Sequence, residues 1–331
     1  MTHVITGASG HLGNNLVRRL LKIGVSVRAV VNRSTTSLED LNDLEIVSAD
    51  VTDPKQVLRA LSGASVVYHL AGKISIQGDP DGQVEKTNVL GTQNVAEACR
   101  AHRVDRLIHV SSVHAFDYQL DRHPTAPLDE SFPLVAQSSS AAAYDRSKAE
   151  GERRLHAAIA EGLPATIVNP TGVLGPFDFA PSRLGQVFLD LKNKKMPSLV
   201  PGSFNFVDVR DVVSGMLAAS TRGQLGENYL LAGHDVSVRT LADYAESVTG
   251  VAAPKLTCPM WLARGAAPLI ENFARITKNE PLYTRESLDT LRRGRKVSWE
   301  KAGRELHFSP RPLIESVRDT YASFEELGIS T

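Results

Sequence analysis

The chain has 331 residues, 42% of them hydrophobic, which is enough for a full α/β core and too many for a disordered protein. Its 37 Lys and Arg balance 37 Asp and Glu, so the formal charge is zero and neither a nucleic acid nor an acidic membrane surface is indicated as a partner. Two cysteines in separate regions, Cys99 and Cys258, exclude a disulfide framework or a cysteine metal cluster and suit a reducing, cytoplasmic setting.

The first predicted element is a short apolar strand, His3-Val4-Ile5, which begins too early for a signal peptide to precede it. Thr6-Gly7-Ala8-Ser9-Gly10-His11-Leu12-Gly13 follows and opens a helix over 12–23. A strand that turns sharply into a helix aims backbone N–H groups and the positive helix end at one spot, where a pyrophosphate fits. Gly7 can take the turn, Gly10 lets a phosphate approach, and Gly13 lets the helix pack closely on the strand. The spacing is G-x-x-G-x-x-G rather than G-x-G-x-x-G, so a tight turn without a ligand is the competing reading at this point.

Further strands are expected over 25–31, 44–47, 65–70, 106–110 and 165–168, with amphipathic helices over 54–61, 84–102 and 141–161. Strand and helix alternating at this cadence predict an α/β fold, a doubly wound parallel (Rossmann) sheet with right-handed crossovers. Ligands in such sheets bind beyond the carboxyl ends of the strands. Polar or small residues stand there: Asp50 (before Val51) after the third strand, Ala71-Gly72 after the fourth, Ser111-Ser112 after the fifth and Asn169-Pro170 after the sixth. After Pro170 the pattern changes. Residues 171–202 read as irregular with one helix, 204–207 as a strand, 208–221 as a helix and 228–231 as a strand returning to the sheet edge. The remainder is mostly helical, with Pro breaks. The expected division is a dinucleotide-binding domain of 1–170 with 205–233 returning to it, and a smaller substrate lobe of 171–204 and 234–331. No apolar run approaches the ~18–20 residues of a membrane helix. The helices over 84–102 and 141–161 could pair across a homodimer.

The chemistry is carried by Tyr144-Asp145-Arg146-Ser147-Lys148. On a helix Tyr144 and Lys148 share one face, about 5–6 Å apart at Cβ. A phenol titrates near 10, a neighbouring ammonium lowers that value, and reaching ~7 takes roughly 4 kcal/mol. Ser112, at the end of the fifth strand, can hydrogen-bond a substrate oxygen and fix it against Tyr144. Because side chains alternate along a strand, Ser111 and Ser112 cannot both face the site. Ser112, Tyr144 and Lys148 form a proton-relay set for carbonyl/alcohol interconversion beside a hydride carrier. Taken alone, Tyr144 and Lys148 could also be an ordinary surface pair.

Together with Asn88-Val89-x-Gly91-Thr92, Pro170-Thr171-Gly172-Val173-Leu174-Gly175-Pro176 and Phe206-Val207-Asp208-Val209-Arg210-Asp211, these motifs resemble the extended short-chain dehydrogenase/reductases, in the expected order over roughly two-thirds of the chain. The resemblance implies that Tyr144 is the acid/base, Lys148 holds the nicotinamide ribose and Ser112 positions the substrate oxygen. It further implies that Asp50 accepts from the adenine amino group, Leu70-Ala71-Gly72 lines the adenosine side, and residues around Pro170 and Val173 contact the nicotinamide amide. Nucleotide-sugar members usually carry a phosphate-gripping Arg where this chain has Phe204, and its dehydratases place an acidic pair where this chain has Val113-His114. The remaining pattern looks like the dihydroflavonol-reductase and 3β-hydroxysteroid-dehydrogenase branch. That branch interconverts ketones or aldehydes and alcohols on largely apolar small molecules.

At the end of the second strand, Asn32-Arg33-Ser34 carries no acid for a ribose 2′-hydroxyl. Arg33 and Ser34 could take a 2′-phosphate, which favours NADP over NAD; a solvated Arg33 is the alternative. No metal site is expected. Lys73 reads equally as a cofactor contact or a surface lysine, His114 as a loop histidine and His69 as a packed core histidine. Tyr118, Phe177, Phe179, Met196 and Trp261 could form an apolar substrate wall. Two other functions stay open at this stage: an NAD-dependent nucleotide-sugar epimerase or dehydratase, and a dinucleotide-binding sensor without chemistry.

Overall fold

The computed structural model describes residues 1–75, 78–117, 126–277 and 284–329. In chain order its first half runs β1 (Thr2–Thr6), α1 (His11–Lys22), β2 (Ser26–Val31), β3 (Glu45–Ser48), α2 (Pro54–Ala60), β4 (Ala64–His69), α3 (Gln83–Glu85), α4 (Gly91–His102), β5 (Arg106–Val110), α5 (Ala143–Ala160) and β6 (Ala165–Pro170). Its second half runs β7 (Gly172–Leu174), α6 (Arg183–Lys192), β8 (Ser203–Asp208), α7 (Val209–Arg222), β9 (Asn228–Leu231), β10 (His234–Ser237), α8 (Val238–Thr249), α9 (Met260–Thr277), α10 (Arg285–Arg293), α11 (Glu300–Leu306) and α12 (Leu313–Glu326).

Seven strands form one parallel sheet in the order β3-β2-β1-β4-β5-β6-β9. The order reverses between β1 and β4, so the loops leaving these two strands flank the switch point where a doubly wound sheet holds its ligand. Both faces are covered. Leu16 and Leu20 of α1 and Val212 and Met216 of α7 pack with Tyr68 and Ile108 on one side. Val95 and Cys99 of α4 and Leu155 of α5 pack with Leu107 and Ile167 on the other. Each fully buried aliphatic side chain contributes roughly 1.5–3 kcal/mol, which offsets the entropy of ordering the strands. Burial also pushes the Cys99 thiol up, so it behaves as a small apolar core residue.

Local chemistry sets the element ends. Asp53 caps α2 by accepting from the amides of Lys55 and Gln56, with Pro54 at the first helical position. The expected helix over 84–102 is interrupted by a π turn, Lys86–Leu90. The wider turn leaves the Asn88 carbonyl to the Thr92 hydroxyl, at 2.7 Å, and delivers the Asn88 side chain to the loop after β4.

The strand expected over 228–231 is β9, at the sheet edge beside β6. The strand expected over 204–207 is β8, but it belongs to a separate three-stranded sheet, β10-β8-β7. A third apolar cluster lies beneath that small sheet, built from Phe188 and Leu189 of α6, Leu241 of α8 and Val317, Tyr321 and Phe324 of α12.

Candidate active site

The glycine loop is shaped by contact with its neighbours. Gly7 has φ +71°, and a Cβ there would stand 2.7 Å from the Ala71 amide nitrogen. A Cβ on Gly13 would collide with the Gly7 carbonyl. Gly10 caps helix α1 without a side chain, and no acid stands in the first turn, so no capping side chain occupies its first amides. Opposite, the turn after β7 is fastened to α1. Pro176 accepts from Asn15 and bonds His11, both at 3.0 Å, and Phe177 accepts from Asn14 at 3.0 Å. A positive helix end open to a groove of this shape fits a dinucleotide pyrophosphate.

At the rim of β2, Asn32, Arg33 and Ser34 are exposed. Asp50 accepts from the amide and hydroxyl of Thr52, both at 2.8 Å; those bonds and one with Asn32 hold its carboxyl below the usual range. The side chains of Leu12, Val51, Leu70 and Ala71 pack into the two sheet cores. Lys73 turns its ammonium to Asp81 at 3.3 Å, while its main chain is clasped by Asn88. Pro170 ends β6, and Val173 sits half-buried in β7.

Tyr144 and Lys148 lie in the first turns of α5, with Ser112 just beyond β5. Ser112 hydrogen-bonds the Tyr144 phenol. Its neighbour Ser111 faces the other way, toward Glu152, as strand alternation requires. Lys148 donates to the Val110 carbonyl at 3.0 Å, with Nζ 3.8 Å from where a Cβ on Gly72 would stand. The glycine loop, the uncapped helix and this lysine beside Gly72 fit a dinucleotide reaching from the loop to Tyr144.

Burial is the largest influence on the protonation states of both Tyr144 and Lys148. Burial pushes Tyr144 up to about 12, against the Ser112 hydrogen bond and with the Asp145 charge adding to the rise. Lys148, also buried, donates to the Val110 carbonyl. Desolvation pushes Lys148 down to about 8, countered by the charge of Glu152. His69, a packed core histidine, is driven to about 3 by burial and then by Lys148, and is held by Thr6 at 2.7 Å and Thr92 at 3.2 Å.

Beneath the triad lies a buried polar network that the motifs did not reveal. Glu152, fully buried, accepts from Asn169 at 2.6 Å and Asn228 at 2.8 Å. Asn169 also donates to the Ser112 carbonyl at 3.1 Å, and Asn228 donates to Asn169 at 2.9 Å. One carboxylate thus ties α5 to the ends of β5, β6 and β9. Its spacing, four residues after Lys148 on the same helical face, was the available signal.

The expected apolar wall is built from other residues. Trp261 is 76% exposed, Met196 is in the third core, and Phe177 and Phe179 stack on each other and under Arg18. Tyr118 lies outside the described residues. Phe204 instead stacks on the His114 ring at 5.9 Å, and His114 meets Tyr144 edge-on at 5.8 Å. His114 Nδ1 lies 3.2 Å from the buried Asp145 carboxylate. A larger cavity, about 500 Å³, opens between β10, α8 and the start of α12. Asn205 separates it from the Phe204 side, bonding Thr171, Gly233 and Asp235. Ser112, Tyr144 and Lys148 do not line that larger cavity, so chemistry rather than size points to the candidate site. No helix among the described residues is long and apolar enough to cross a membrane, and no metal-ligating cluster occurs among them.

Residues 3–232 match the NAD dependent epimerase/dehydratase family. The chain is 33% identical to sterol demethylase protein B of Methylococcus capsulatus, over 99% of this chain and 100% of that one. It is 29% identical to a putative dihydroflavonol 4-reductase of Synechocystis, over 98% and 94%. The crystal structure of gox2253 superposes with a TM-score of 0.84 at 32% identity, covering 100% of this chain and 99% of that one.

Proposed function

Because the chain belongs to the NAD dependent epimerase/dehydratase family, we propose that it is an NADP(H)-dependent oxidoreductase interconverting a ketone or aldehyde and an alcohol on a largely apolar small molecule. The observation that carries this reading is the Phe204–His114 stack at the edge of Tyr144. An aromatic ring there favours apolar surface and offers nothing to a diphosphate.

In this reading residues 1–170 and 205–233 hold the dinucleotide, and 171–204 with 234–331 receive the substrate. Gly7, Ser9, Gly10, His11, Leu12 and Gly13 surround the pyrophosphate. Asp50 and Val51 border the adenine, Leu70, Ala71 and Gly72 the adenosine and ribose side, Lys73 a phosphate, and Pro170 and Val173 the nicotinamide amide. The acid-free rim of Asn32, Arg33 and Ser34 supports a 2′-phosphate.

A bound nicotinamide supplies or accepts the hydride at the reacting carbon. The chain's own residues handle the proton. Ser112 donates to the substrate oxygen and holds it against Tyr144. Tyr144, protonated in this structure, gives its proton to that oxygen in reduction and takes it back in oxidation. Lys148 presents an ammonium between Val110 and Gly72, where it can hold the ribose and stabilise the phenolate left behind. His114, anchored by Asp145, closes the aromatic side of the cleft.

The reading is tested by following NADPH oxidation optically with a panel of apolar ketones and aldehydes, alongside UDP-glucose. Turnover of apolar carbonyls is expected. Conversion of the nucleotide sugar alone, with NAD retained, would overturn it.

A further inference from the structure

The cleft beside Phe204 has a roof, and one guanidinium nitrogen in that roof has no hydrogen-bond partner. The chain leaving α10 crosses over β8, where Gly294 lies against Ser203. It then pairs with residue 128: the Leu128 amide donates to the Lys296 carbonyl and the Ser298 amide to the Leu128 carbonyl, both at 2.8 Å. Arg295, fixed between these anchors, lines a small cavity of about 30 Å³ with Val113, His114, Phe204 and Asn205. Its guanidinium sits 5.4 Å from the centre of the Phe132 ring. Its Nη1 is shielded from solvent and has no hydrogen-bond partner. Among the described residues no carboxylate pairs with it. Two acids bordering this region are already engaged, Asp145 with His114 and Asp235 with Asn205 at 3.0 Å.

Arg295 is partly buried, and a shielded guanidinium nitrogen without an acceptor is costly. Arginine presents its donors in a fork that matches a carboxylate. We propose that Arg295 receives a carboxylate of the substrate, so that the molecule bound here is an apolar acid rather than a neutral ketone or alcohol. Its acid lies under Arg295, its reacting oxygen lies at Ser112 and Tyr144, and its apolar part lies along the His114 and Phe204 rings between them. His114 borders the cavity and meets Tyr144 at 5.8 Å, so the acid stands only a ring's width from the reacting end. The small volume admits a carboxylate and leaves no room for a sugar diphosphate. This assignment rests on the cleft being the substrate site of the proposed oxidoreductase.

Calorimetric titration of the full chain with decanoate and with 1-decanol, each in the presence of NADP+, tests it. Decanoate is expected to bind at least tenfold more tightly than the alcohol. Arg295→Met brings the two to equal affinity, and Arg295→Lys keeps most of the preference, while NADP+ affinity and circular dichroism stay unchanged. Should the Met variant fail to fold, Arg295→Gln takes its place. Equal affinities in the unaltered chain, a preference that survives loss of Arg295, or no decanoate binding would each overturn the inference. Turnover of neutral ketones without an acid preference sinks this assignment and leaves the oxidoreductase reading standing. Acid binding without any NADPH-linked turnover does the reverse.

Discussion

Asn169 Nδ2 stands 2.6 Å from the Glu152 carboxylate, and the same nitrogen reaches the Ser112 carbonyl at 3.1 Å. A charge with no access to solvent therefore fixes the backbone of the residue that hydrogen-bonds Tyr144, and it also acts on Lys148, which lies four residues before it.

Removing that charge has a predictable sign. Glu152 raises Lys148 against desolvation, which holds it down at about 8. In Glu152→Gln the lysine loses its proton at lower pH, so the alkaline limb of kcat/KM for the cofactor moves to lower pH. The Gln amide also faces the Asn228 donor, costing about 1–3 kcal/mol of stability. A pH profile of kcat/KM and a urea titration measure the two effects, and an unmoved limb would show that Glu152 only packs.

Tyr144→Phe removes the proton donor and keeps the ring against His114. Turnover is expected to fall by at least 10³-fold, a loss at the upper part of the usual range for a positioned acid, with the Kd for NADP+ within about twofold. Equal loss of both would argue against the proton-transfer role.

Arg33→Ala tests the cofactor. A charge-assisted bond to a 2′-phosphate is worth roughly 1.5–3 kcal/mol, so KM for NADPH should rise about 10–100-fold while KM for NADH stays level. If both constants stay where they were, Arg33 is a surface residue.

Phe204→Ala removes a ring that stacks on His114 and packs edge-on against Phe206 at 5.6 Å. KM for an apolar ketone is expected to rise about tenfold, corresponding to the roughly 1.4 kcal/mol of a partly lost aromatic contact. Cofactor affinity should not change. Initial rates over a concentration series separate the two.

His69 contributes an acid-sensitive stability. Its folded-state value, about 3, lies below the unfolded 6.5, so the contribution is complete above 6.5 and is lost as pH falls toward 3. The slope approaches ~1.4 kcal/mol per unit, so unfolding at pH 5 should cost about 2 kcal/mol less than at pH 7 from this group alone. His69→Asn, measured by urea denaturation at both pH values, should show a smaller difference.

The parallel sheet was legible because its strands are buried on both faces and read as apolar runs. The triad was legible because its spacing is set by one helix and one strand end. The small sheet was not. β7 is three residues of Gly-Val-Leu, and β10 is His-Asp-Val-Ser, neither of which shows an apolar alternation. The aromatic wall failed for a related reason: a Phe or Trp does not declare which side of an element it occupies. Trp261 therefore looked as suitable as Phe204. The phenol's rise was also hidden, since spacing puts an ammonium near Tyr144 without showing how far the phenol is removed from solvent.

The turn after β7 closes the glycine loop through His11, Asn14 and Asn15, each of which bonds a carbonyl of Pro176 or Phe177. The first hundred and seventy residues are therefore not a detachable nucleotide module. Cut after Pro170, α1 would keep its glycines but lose the acceptors that orient the start of the helix. Grafts and truncations of this protein should carry residues 175–179 along with the N-terminal half.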